Sequence, residues 1–194
     1  MDVLTDIGMT DCKSVAFPLP KGLQLSTDNG DLLDNPDEYK WLIGRLLYVN
    51  ITRPDISRAI QHLSQFMTVP RKPNWQAALH VLRCLKASPS IGLYFPIVND
   101  FKLTAYYDSD WASCVVTRKS LIGFCIFFGS SLISWKIKKQ PTVSKSSAEA
   151  EYKAMASTIC ELSWISYLLH DHQVLVALLV NLKCDNKGAS SNSS

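Results

Sequence analysis

Carboxylates give this 194-residue chain its first chemical signal. Asp108 and Asp110 stand in Tyr106-Tyr107-Asp108-Ser109-Asp110-Trp111-Ala112, just past an apolar run, Leu103 to Tyr107, that reads as a β-strand. Glu149 and Glu151 stand in Ser146-Ser147-Ala148-Glu149-Ala150-Glu151-Tyr152, and Asp185 follows Cys184 at the end of another apolar run, 174–184. Acids beside strand ends either satisfy turns or, where three hard oxygen ligands converge, hold Mg2+ or Mn2+. Two such ions about 4 Å apart can activate water and stabilise the leaving oxygen of a phosphodiester. Asp108, Glu151 and Asp185 are the candidate ligands and catalytic acids. Asp110 ranks below Asp108 because it is expected to lie beyond the strand.

Helical period separates the two glutamates. A stripe runs through Met155, Thr158, Leu162, Ile165 and Leu169, and four residues before Met155 is Glu151. Glu151 is thus expected on the face that covers a sheet, whereas Glu149 points about 200° away and reads as the capping-box partner of Ser146. A carboxylate in a buried stripe is costly unless it is paired or bound to metal; at the rim of the stripe it reaches water instead. If the strands ending near Asp108 and Asp185 are parallel neighbours, both acids leave one edge of the sheet, and the helix between them can present Glu151 there.

The positioning elements read as follows. Residues 1–35, rich in Asp, Pro, Gly and Thr, form an irregular arm. Asn35-Pro36 with Glu38 marks a helix start. Tyr39, Leu42, Ile43, Leu46 and Leu47 follow at helical spacing. A second helix carries Ile56 to Met67, and a third runs from about Pro73 to before Pro89, so residues 36–87 form three packed helices. Segments 91–96, 102–108, 121–128 and 131–136 are short, aromatic and β-branched, which predicts antiparallel strands. A long helix is expected over 147–169, then a strand reaching Cys184. Trp41, Trp75, Trp111 and Trp164 are expected in or near the core.

Composition limits the alternatives. With 47% hydrophobic and 19% charged residues the chain can bury a core, and a net charge of +3 permits contact with nucleic acid without requiring it. The six cysteines form no CxxC pair and read as reduced thiols of a cytoplasmic or nuclear protein. His170 and His172 read as a solvated helix terminus rather than a zinc site. No apolar run has the roughly 18 residues of a membrane helix, and MDVLTDIGMTD lacks the features of a signal peptide. Lys136, Lys138, Lys139 and Lys145, beside Trp135, could hold a nucleic-acid backbone or serve as solvated loop charges.

The segments YKWLIGRLLYVNITRPDISRAIQHLSQFM, WQAALHVLRCLK, GLYF, YYDSDWAS, TRKSLIGFCIFFGSSLISWKIKKQPTVSKSSAEAEYKAMA, CELSWISYLL and CDN occur in that order. Together they resemble the C-terminal part of a copia-type retrotransposon Pol polyprotein, from about residue 3 to 189. The resemblance implies an α/β fold. A small, mainly helical reverse transcriptase connection region (36–98) would follow the arm and precede a ribonuclease H-like domain (99–194). That domain would have a mixed sheet of three antiparallel strands and one parallel strand, covered by a long helix. It implies cleavage of the RNA strand of an RNA–DNA hybrid with two Mg2+ or Mn2+ ions. The rest of the polyprotein would be its partner in the intact element, with no membrane association.

Carried over residue by residue, the family's acids match Asp108, Glu151 and Asp185. The family continues past CDN to a fourth acid, whereas nine residues follow Asp185 here and none is acidic. The expectation is a domain truncated at its C-terminus with little or no nuclease activity alone. One alternative is a non-enzymatic nucleic-acid-binding remnant of a decayed element. The other is a fragment completed by another polyprotein copy.

Overall fold

In the computed structural model, residues 2–98, 100–114, 117–174 and 180–184 are described. The chain divides into two units, 1–92 and 93–194. The first contains α1 (Asp2–Asp6), α2 (Pro36–Val49), α3 (Ser57–Leu63) and α4 (Lys72–Ala87), with single 3-10 turns at Pro54–Ile56 and Ser64–Phe66 on either side of α3. Pro36 opens α2 where its missing N–H costs nothing. The cap expected from Asn35 does not form; its side-chain amide instead donates to the Glu38 carboxylate at 3.0 Å. Tyr39, Leu42, Ile43 and Leu46 of α2 meet Ile60 and Leu63 of α3 and Val81 and Leu82 of α4 in one core. The Tyr39 hydroxyl donates to the Leu63 carbonyl at 2.8 Å, so the one polar atom of that buried ring is satisfied.

The arm expected to be irregular is so beyond α1, but it is packed down. Leu4 is buried, and Leu19, Leu23, Leu25 and Leu33 lie against the helical core. Lys86 Nζ donates to the Cys12 carbonyl at 2.7 Å, and Arg71 Nη1 to the Gly30 carbonyl at 2.6 Å, so α4 grips the arm at both ends.

The second unit is α/β. Strands β1 (Leu103–Asp110), β2 (Leu121–Phe128), β3 (Ser131–Lys139) and β4 (Asn181–Cys184) form a sheet in the order β3-β2-β1-β4. β1–β2 and β2–β3 are antiparallel, and β1–β4 is parallel. Helix α5 (Ser147–Asp171) covers one face. This is the expected mixed sheet with a long covering helix. Leu103 and Ala105 of β1, Phe124 and Ile126 of β2 and Leu162 and Ile165 of α5 make its core. Ser146 Oγ accepts the Glu149 N–H at 3.1 Å, and Glu149 Oε2 accepts the Lys145 N–H at 2.7 Å, which starts α5 where the capping pattern places it.

Several expectations are corrected. Residues 91–96 form no strand; no neighbouring strand pairs with them, Pro96 removes a donor, and Ile91, Tyr94 and Phe95 are exposed. Strand β1 runs on to Asp110, which pairs with Leu121, so Asp108 lies two residues inside its end and Asp110 belongs to the strand. Of the tryptophans expected in the core, Trp75 packs against the helical core, while Trp41, Trp111 and Trp164 are exposed, Trp164 to 60%. The buried line of α5 passes through Ala150, Ala154, Thr158, Leu162 and Ile165, so Met155 and Glu151 flank it instead of lying within it. Small side chains at 150 and 154 let the first turns approach the sheet. All six cysteines are free, and no helix among the described residues is long and apolar enough to cross a membrane.

Candidate active site at the sheet edge

Parallel pairing fixes the register of the two acid-bearing strands. Thr104 pairs with Asn181 and Tyr107 with Cys184, so Asp108 stands one step beyond the last described pair. Asp185 follows Cys184 and lies outside the described residues.

Alternation along β1 decides which side chains face α5. Leu103 and Ala105 are buried under the helix, and Tyr107 continues that face. Asp108 is on the opposite face, exposed, directly across from Gly123 of β2. Asp110 shares Asp108's face and is half-buried. Between them Ser109 Oγ is buried with no hydrogen-bond partner among the described residues.

Glu151, in the first turns of α5, is half-buried. The ring that links it to the strands is Tyr107. Burial raises the Tyr107 pKa first, and its neighbours Cys184 and Glu151 push it further the same way. Tyr107 therefore sits where three segments meet: β1 just before Asp108, the last residue of β4 just before Asp185, and the first turns of α5 at Glu151. The segments come together, whereas the carboxylates of Asp108 and Glu151 approach from opposite faces of the sheet. Among the described residues no group of three or more His, Cys, Asp or Glu is placed to hold a metal ion. The donor chemistry itself, carboxylate oxygen, suits a hard divalent cation.

The connection from β3 to α5 is anchored by residues that sequence reading passed over. Gln140 is buried; its amide donates to the Ala150 carbonyl at 3.0 Å and its oxygen accepts from Ser144 Oγ at 2.6 Å. Trp111 Nε1 donates to the Ser144 carbonyl at 3.0 Å, tying the residue after β1 to the same loop. Nothing in the local pattern marks a lone Gln as a core anchor; its signal is positional, at the exit of an edge strand.

Of the candidate phosphate-binding lysines, Lys136, Lys138 and Lys145 are exposed. Lys139 is half-buried, and its ammonium donates to Cys114 Sγ at 3.2 Å. Burial alone would raise the Cys114 thiol; bonds from Thr117 and the Lys139 charge outweigh it and hold the pKa down to about 7. Lys153 of α5, not singled out in the sequence, ion-pairs with Glu149 at 2.8 Å and donates to Thr142 and Ser144.

The chain is similar to an uncharacterized mitochondrial protein of Arabidopsis thaliana, 42% identical over 84% of this chain and 68% of that protein. It is also similar to the retrovirus-related Pol polyprotein from transposon RE2 of Arabidopsis thaliana, 38% identical over 98% of this chain. A third similarity is to the retrovirus-related Pol polyprotein from transposon TNT 1-94 of Nicotiana tabacum, 34% identical over 87% of this chain. The chain spans only 13% of the length of each of these two polyproteins. No family model matches, and no solved structure matches.

Proposed function

Because the chain belongs to the retrovirus-related Pol polyproteins of copia-type retrotransposons, we propose that its second unit carries a ribonuclease H-type site for the RNA strand of an RNA–DNA hybrid. The observation that supports this reading most is the meeting of three acid-bearing segments around Tyr107. In this reading Asp108, Glu151 and Asp185 hold Mg2+ or Mn2+. A divalent cation bound there supplies a more acidic water and charge stabilisation for the leaving oxygen. The chain's own contribution in this reading is positional: β1 carries Asp108 beside its pairing with β4, and the capped start of α5 carries Glu151. Lys136, Lys138, Lys139 and Lys145 would attract the phosphate backbone as point charges.

Cleavage is expected to be slow, because Asp108 and Glu151 start from opposite faces and must turn toward each other around the strand. The test offers the purified chain a labelled RNA–DNA hybrid, the same RNA alone and a DNA duplex, with Mn2+ and with EDTA. Cleavage of the RNA only in the hybrid, only with Mn2+, and absent in Asp108→Asn supports the reading; cleavage that persists in that variant refutes it.

A second reading, nucleic-acid binding without cleavage, is favoured by the exposed Lys136, Lys138 and Lys145 and by the opposite faces from which Asp108 and Glu151 approach. Salt-sensitive hybrid binding with no cleavage at any divalent ion concentration selects it.

A further inference from the structure

A cavity of about 370 Å³ opens between α5 and the β2–β3 edge of the sheet. Its floor is Ile122 and Phe124 of β2. One wall is Lys136 and Lys138 of β3, which pair with Phe124 and Ile122 and so share the face that α5 covers. The opposite wall is Lys153, Ala156 and Ser157 of α5, where the small side chains of Ala156 and Ser157 keep the gap open. Lys136 and Lys138 have no ion-pair partner among the described residues. Two residues apart on one strand, their Cα atoms are about 7 Å apart. Lys153 also lines the cavity, although Glu149 already neutralises much of its charge.

We propose that this cavity binds a nucleoside phosphate, with the phosphate on Lys136 and Lys138 and the flat base over Ile122 and Phe124. Three observations select that class. The cations on the β3 wall call for an anion, and lysine is a compact phosphate-binding charge. The apolar floor has no use for inorganic phosphate, which would leave most of the volume unfilled. The size lies within the 300–1,000 Å³ range of small-ligand sites. Inward lysines on an edge strand also discourage a further strand from adding. That role explains charge on β3, but not a lysine and two small residues facing it from α5. A free nucleotide and the phosphorylated terminal nucleotide of a strand present the same chemistry. The inference does not depend on nuclease activity.

Binding to the full chain is measured by calorimetry in EDTA, where metal-dependent cleavage cannot occur. The probes are adenosine monophosphate, a 5′-phosphorylated oligothymidylate, the same oligomer without its phosphate, and inorganic tripolyphosphate. Adenosine monophosphate or the phosphorylated oligomer should bind about tenfold or more tightly than tripolyphosphate. Tighter binding of the free nucleotide identifies it as the occupant; tighter binding of the oligomer, lost with its terminal phosphate, identifies a strand end. Lys136→Gln combined with Lys138→Gln should weaken binding about tenfold or more. Ala156→Trp, a change at an exposed helix position that fills the cavity without removing a charge, should abolish it while far-ultraviolet circular dichroism stays unchanged. The proposal is overturned if no probe binds, if tripolyphosphate binds as well as the nucleoside phosphates, or if Ala156→Trp leaves affinity intact.

Discussion

Arg53 and Cys114 show how single side chains acquire unusual properties from their neighbours. Arg53 is buried, and it keeps its charge by placing Nε and Nη2 on the Asp55 carboxylate at 2.9 and 2.8 Å and Nη1 on the Ser88 carbonyl at 2.8 Å. The hydrogen bond from Arg53 holds the Asp55 carboxyl below its ordinary range. A lowered folded pKa means the unfolded chain binds the proton more readily. The stabilisation is therefore present above the unfolded value, near 3.9, and is lost as pH falls through the folded one. Thermal melts between about pH 5 and pH 2.5 should show a fall in Tm that is shallower in Asp55→Asn; equal slopes would contradict the assignment. Arg53→Met should cost about 1 kcal/mol, since it removes the hydrogen bonds to the Asp55 carboxylate and the Ser88 carbonyl. Urea unfolding measures it. For Cys114, with its thiol held at about 7 by Thr117 and Lys139, alkylation by iodoacetamide should reach half its maximal rate near that pH. In Lys139→Met the midpoint should move upward; an unmoved midpoint would separate the thiol from the lysine.

At the scale of elements, the start of α5 matters most, because it sets where Glu151 stands. Ser146→Ala removes the oxygen that accepts the Glu149 N–H and should cost about 1 kcal/mol, read as a lowered denaturation midpoint with unchanged slope. Ser146 with Glu149 could be recognised in the sequence because caps depend on residues a few positions apart. The same local logic marked Pro36, the strand over Leu121–Phe128 and the long helix itself. It failed where neighbours far along the chain decide. Residues 91–96 have strand-forming side chains but no strand to pair with. Asp110 was expected outside β1, yet pairing with Leu121 extends the strand to it. The helical stripe was drawn through Met155, but close approach to the sheet selects the smaller line of Ala150 and Ala154, which shifts Glu151 to the border. Around the candidate site, the acid-bearing segments were legible as residue types beside strand and helix boundaries. Tyr107 as their meeting point, Gln140 as the loop anchor and Lys153 as a cavity wall were not, since each depends on a partner many residues away.

For the whole molecule, a net charge of +3 is modest, so the proposed binding of nucleic acid would draw on the local lysines more than on the overall field. Hybrid binding should weaken steeply with salt, and replacing Lys136 and Lys138 together should lower the slope of log affinity against log salt concentration by about 2. A slope unchanged by that replacement would place the phosphate contacts elsewhere. The central proposal is a hard-cation site at the edge shared by β1, β4 and α5. Mn2+ titration of the full chain, followed by the loss of the free-ion electron paramagnetic resonance signal, tests it most directly. Saturable Mn2+ binding that weakens at least about tenfold in both Asp108→Asn and Glu151→Gln is the predicted result. Binding that is absent in the parent chain, or unchanged in either variant, would contradict it.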